Sequence, residues 1–172
     1  MINDLKKVSI RGRVAFSIFC FLNAIEKINP MLKDNHLIDL ITDRAWQFVE
    51  NNDLVHSYNN FLDIAPECIL DEKSDGYSEF ESISLQDYQD LIKLYETWPT
   101  CLNNILDMLS YVMSINLYSI TGEYSYDTLK YVNKIIDIII DNNMILPDTN
   151  RFLITPFSAN RGWGNVIDRN KF

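Results

Sequence analysis

Metal and disulfide chemistry have little to work with in this chain: its 172 residues hold three cysteines and two histidines. Cys20, Cys68 and Cys101 are odd in number and far apart, each set in an apolar pattern, so they build neither a disulfide framework nor a CxxC metal site. They read as small buried hydrophobes of a reducing compartment. His36 and His56 fall on different predicted helices, and neither stands in an HExxH motif or beside a cysteine at ligand spacing. Both read as ordinary, partly exposed histidines, and no metal site is expected. Five glycines and five prolines are too few for a loop-rich all-β chain or a disordered one.

Catalytic signatures are equally scarce. There is no GxSxG elbow, phosphate-binding P-loop, dinucleotide fingerprint or kinase signature. Asp39 and Asp43 would share a helix face, but nothing apolar brackets them to shift a pKa, so they read as a solvated face. No convergent set of titratable groups can be drawn, and the expectation is a protein that is not an enzyme, with no catalytic residues and no cofactor. Hydrophobic runs are short as well. Lys6, Lys7, Arg11 and Arg13 before an apolar stretch imitate a signal peptide, but no A-x-A cleavage signal follows and the run is too short to span a bilayer. No Asn-x-Ser/Thr acceptor occurs. A cytoplasmic protein that neither enters nor crosses a membrane is expected.

What the chain does have is helical periodicity. Residues 9–28 are apolar on nearly all sides, leaving only Arg13, Ser17, Ala24 and Lys27 as a thin polar or small strip, which predicts a central helix with Ser9 as N-cap. Leu37, Ile41, Ala45 and Phe48 mark a second helix over 31–50, preceded by Asn29 and Pro30 as cap and first position. Asp53 caps a third helix, which ends before Pro66, and a short turn over 66–70 follows. Ser84 and Asp87 open a fourth helix that ends near Thr97. Pro99 starts a fifth, running to Gly122, and Ser125 caps a sixth that carries Leu129, Val132, Ile135, Ile136 and Ile139. From about residue 147 an irregular basic tail begins. Phe152, Ile154, Phe157 and Trp163 are too apolar to hang free, so the tail should lie across the helices, its glycines turning the backbone around Trp163. The fold expected is all-α: one domain over residues 1–172, a compact bundle of about six helices with an irregular C-terminal tail packed on it.

The net charge of −9 is uneven. Residues 1–33 carry +4, 34–96 carry −12, 97–150 carry −4 and 151–172 carry +3. That balance repels nucleic acid and anionic membrane and suits a basic protein partner or plain solubility. The best candidate for a partner-binding surface is the acidic loop at 71–82, through Asp71, Glu72, Asp75, Tyr77, Glu79, Phe80 and Glu81. Its carboxylates would steer a basic partner and its two aromatics would anchor it. The other reading is an ordinary solvated loop. Arg11 and Arg13 could hold an anion or a partner's carboxylate, but neutralisation of acidic helix faces within the protein is favoured. Trp163, between two glycines, reads either as a binding anchor or, the favoured role, as an aromatic pinned under the tail.

SIRGRVAFSIFCFLNAIEK near the start, with RGWGN near the end, resembles a group of small bacterial immunity proteins of polymorphic or contact-dependent toxin systems. The resemblance implies an all-α protein, made in the cytoplasm, that binds a cognate toxin domain and neutralises it without catalysis; the acidic charge of this chain adds that the toxin's surface is basic. The alternative from a different class is an intracellular regulatory or adaptor domain that binds a peptide or small ligand. Oligomeric state is open in both.

Overall fold

Residues 2–71 and 76–172 are described by a computed structural model of the chain. The architecture is all-α: among the described residues there are six helices of nine or more residues and two short ones, with 3₁₀ turns in two of the connections and in the tail. Helices α1 (Ile2–Leu5), α2 (Ile10–Ile28), α3 (His36–Glu50) and α4 (Leu54–Leu62) occupy the first part of the chain, α5 (Pro66–Ile69) follows, and α6 (Leu85–Thr97), α7 (Thr100–Ser114) and α8 (Tyr126–Asp141) complete the set. One hydrophobic core draws side chains from Leu5 to Phe152.

Helix α2 is the centre, as its periodicity predicts: it packs on α3, α7 and α8. The polar strip expected on it is not a solvent face, because Arg13, Ser17 and Ala24 are fully buried and only Lys27 of that strip reaches solvent. Ser9 caps the helix by accepting from the Gly12 amide at 3.2 Å.

The predicted caps at Asp53 and Ser84 also form, accepting from His56 N and Asp87 N. Three boundaries differ from the sequence expectation. The segment over 31–50 is broken: Pro30–Asp34 is a 3₁₀ helix, and Asn35, extended and accepting from Leu37 N, starts α3 afresh. A local side-chain acceptor has won over helix continuity. Pro99 sits at the N-cap position of α7, one residue ahead of the first helical position expected for it.

Helix α7 stops at Ser114, eight residues before Gly122, because Asn116 turns its amide to Ser119 Oγ and to the Ile120 carbonyl. Ser125 does not cap α8 by the expected side-chain bond; it is left-handed (φ 43°), and its hydroxyl goes to Asn116 and Thr128.

The tail lies across the helices, with more order than expected: Thr149–Ile154 and Arg169–Lys171 are 3₁₀ helices, Ala159–Gly162 is a tight turn through left-handed Asn160 and Arg161, and Val8 and Pro156 form an isolated antiparallel bridge. Phe152 is fully buried between the edges of Phe16 and Phe19. Ile154, expected to be covered, is instead half exposed. Arg169 fastens the tail end to α3 through Glu50 and Asp43, stacked over Trp46. Among the described residues no helix is long and apolar enough to cross a membrane.

Candidate functional site

The acidic segment is moored at its C-terminal half. Asp63, at the end of α4, accepts from the Ser82 amide at 2.9 Å, and Arg44 of α3 donates to the Ser82 carbonyl at 2.6 Å. Gly76–Glu79 forms a 3₁₀ turn, from which Tyr77 donates its hydroxyl to the Ile83 carbonyl at 3.0 Å. The Tyr77 and Phe80 rings both lean on Tyr88 of α6, with centroids 5.7 and 5.1 Å away. The two aromatics are therefore half-buried staples of the loop and expose only part of each ring. Asp71, Glu79 and Glu81 are exposed, while Glu72 and Asp75 lie outside the described residues.

The mooring leaves a cavity of about 230 Å³ lined by Leu62, Asp63, Cys68, Asp71, Glu79 and Phe80. Three carboxylates over apolar walls suit a long basic side chain, whose stem needs apolar cover and whose head needs anions. The Cys68 thiol at its wall is pushed up to about 11, by burial first and then by Glu67, Asp107, Asp63 and Asp71. At neutral pH it is a thiol, not a nucleophile. Cys20 is buried and shifted further in the same direction.

Next to this cavity, α7 caps α5. The Glu67 amide donates to Asp107 Oδ1 at 3.0 Å, while Ser110 and Tyr111 donate to the two Glu67 carboxylate oxygens at 2.9 Å each. Burial, and secondarily the charge of Glu67, push Asp107 up to about 6, against the opposing pull of that backbone bond. Sequence reading missed this pair because its members are 40 residues apart.

Arg11 and Arg13 are not charge balancers. Both are buried, and neither meets a carboxylate among the described residues. Arg11 donates to the carbonyls of Phe48 and Val49, two of the acceptors that the C-terminal turn of α3 leaves unpaired. Arg13 donates to Leu5 O at 3.1 Å, Ser125 O at 3.0 Å and Thr128 Oγ1 at 2.6 Å, and lies over the Phe157 ring. The carbonyls at the C-terminal end of α3 carry partial negative charge that suits Arg11, while Arg13 is held by neutral acceptors; in both, uncharged oxygens replace the carboxylates expected from composition. Burial lowers Arg11 to about 10 and Arg13 to about 9, so both stay cationic at neutral pH.

The start of the central helix and the Gly-Trp-Gly segment of the tail meet. Ser9 N donates to Thr155 O at 2.7 Å, Arg11 N donates to Trp163 O at 3.1 Å, and Gly164 lies against the Ser9 side chain. Trp163 is half-buried beside Phe48, the pinned role rather than the exposed anchor. His36 pairs with Asp87 at 3.6 Å and His56 contacts Asn60, and among the described residues no group of three or more His, Cys, Asp or Glu could hold a metal ion. Asp43 is engaged by Arg169, so of the Asp39 and Asp43 face only Asp39 is left simply solvated.

No family model, curated protein or solved structure matches the chain.

A second surface escaped the sequence reading. The connection between α7 and α8 exposes Tyr118, Ile120 and Tyr126, beside two consecutive left-handed residues, Asn160 (φ 47°) and Arg161 (φ 55°). Each such conformation costs about 1–3 kcal/mol.

Proposed function

We propose that this chain is an immunity protein: a cytoplasmic, non-catalytic inhibitor that binds a cognate bacterial toxin domain through the acidic surface around residues 71–81. The observation that carries the reading is the cavity at Asp63, Asp71 and Glu79, a receptor for a lysine or arginine in the most acidic third of the chain. The signature-like stretches support the family, and the charge supports the mode. A nuclease toxin offers basic groups that normally hold phosphates, and carboxylates at matching positions would occupy them. Inhibition then follows from occlusion, with no chemistry asked of the inhibitor.

Co-expression with each reading frame that neighbours the gene is the test. Rescue of growth and co-purification of one toxic product are expected for the wild-type chain, with loss of both on Asp63→Lys/Asp71→Lys/Glu79→Lys. Failure to rescue against every neighbouring toxin would overturn the reading.

A further inference from the structure

The connection over residues 115–126 is rich in tyrosine, serine and small polar residues and is held from beneath by a buried polar network. Asn116, Ser125 and Thr128 are buried and bonded to one another, and the buried Arg13 guanidinium clamps the Ser125 carbonyl and the Thr128 hydroxyl. This network fixes a loop whose outer face is apolar: Ile120 is 93% exposed, Tyr118 84% and Tyr126 77%, with Tyr124 and Ile115 partly exposed. Exposed apolar groups concentrated on one preorganised loop mark an interaction surface.

The neighbouring turn completes it. Thr121 Oγ1 donates to the Arg161 carbonyl at 2.7 Å, and Gly162 packs on Phe157 and on the Thr121 hydroxyl. Together they shape a groove of about 540 Å³ lined by Ser119, Ile120, Thr121, Asn160, Arg161 and Trp163. Arg161 is the only charged group among those lining residues, and it is exposed. Two residues beyond Thr121 stands the exposed Glu123, next to Tyr124. Among the described residues no ion pair joins Arg161 to Glu123.

We infer that this surface is a two-fold interface with a second copy of the same chain, in which the exposed Tyr118 and Ile120 fill the opposite groove and Arg161 of each copy pairs with Glu123 of the other. A patch that carries both a cation and an anion around an apolar centre is self-complementary under a two-fold axis. At the area of a full aromatic side chain, the exposed groups present on the order of 600 Å² per copy, and the groove walls bring this close to the ~800 Å² that a standard interface buries on each side. The inference does not depend on the toxin-binding reading.

Sedimentation velocity on the full chain over a wide micromolar range tests it. The mass should rise from 20.1 kDa toward double as concentration increases. Arg161→Glu, Glu123→Arg and Ile120→Asp should each weaken self-association by about tenfold or more, with the helical circular dichroism and melting temperature of wild type, because all three side chains are exposed. Arg161→Glu combined with Glu123→Arg should restore the dimer. A mass of 20.1 kDa at every concentration overturns the inference and leaves the surface to an unlike partner. Dimerisation indifferent to the single charge reversals, or a double reversal that fails to recover it, overturns it as well.

Discussion

Gly164 lies so close to Ser9 that a Cβ on it would overlap the serine hydroxyl, and this contact joins the C-terminal tail to the first turn of the central helix. Its φ of 80° adds a second demand for glycine. Gly164→Ala therefore meets both left-handed strain and overlap with a buried cap, and a loss of about 2–4 kcal/mol is expected. Gly122, at φ 63° with open space around it, supplies the control: Gly122→Ala should lose only about 1 kcal/mol. Urea unfolding of the two variants checks the difference.

The buried arginines make a sharper test of what holds the bundle. Arg13→Met keeps much of the volume but strips donors from Leu5 O, Ser125 O and Thr128 Oγ1, at a cost of about 3 kcal/mol or more. Arg11→Met removes the guanidinium donor from the Phe48 and Val49 carbonyls, leaving Val49 O only the long bond from the Ile167 amide, and about 1–3 kcal/mol should go with local fraying of the end of α3. Hydrogen exchange at the Asn51 amide, which closes that turn on Gln47 O, reports the fraying. If the arginines were balancing carboxylates, high salt would mimic the substitutions. Bonds to buried carbonyls predict little salt effect.

Asp107 gives a pH dependence. Its folded pKa of about 6 lies above the ordinary aspartate value of 3.8, so between these the folded state binds the proton more readily than the unfolded state. The charged form is disfavoured by folding, the destabilisation is complete above about 6, and it is relieved as pH falls toward 4. Asp107→Asn keeps an acceptor oxygen for the Glu67 amide and should remove this share of the pH dependence. Thermal melts of both proteins across that window measure it, and parallel curves would discard the assignment.

For toxin binding through residues 71–81, association rather than dissociation should respond to charge. The association rate is expected to fall steeply as salt rises, and to fall by about tenfold in Asp71→Lys/Glu81→Lys. Stopped-flow mixing over a salt series measures it. A rate indifferent to salt would rule out electrostatic steering by this surface.

Much of the fold could be read before any coordinates. Apolar residues at helical spacing placed all six long helices, and Ser9, Asp53 and Ser84 capped where their side chains predict. Three of the departures share one cause. Asn35, Asn116 and Ser125 each carry a short polar side chain that can serve or break a helix, and only its partners decide which. The acidic segment was legible as a charge cluster, whereas its cavity depends on Asp63 reaching Ser82 and on Tyr88 seating two rings, pairings that local periodicity does not encode.

Local and compositional properties were thus determined by the sequence alone: the all-α class, the apolar centre at residues 9–28, and the acidic middle of the chain. These depend on neighbours within a few positions, or on counts. The tertiary structure decided where two cations would be buried. Arg11 and Arg13 stand 37 and 112 residues from Phe48 and Ser125, the carbonyls that hold them. A backbone carbonyl is present at every residue, so no pattern of side chains marks the ones that will meet a guanidinium; packing alone brings them together.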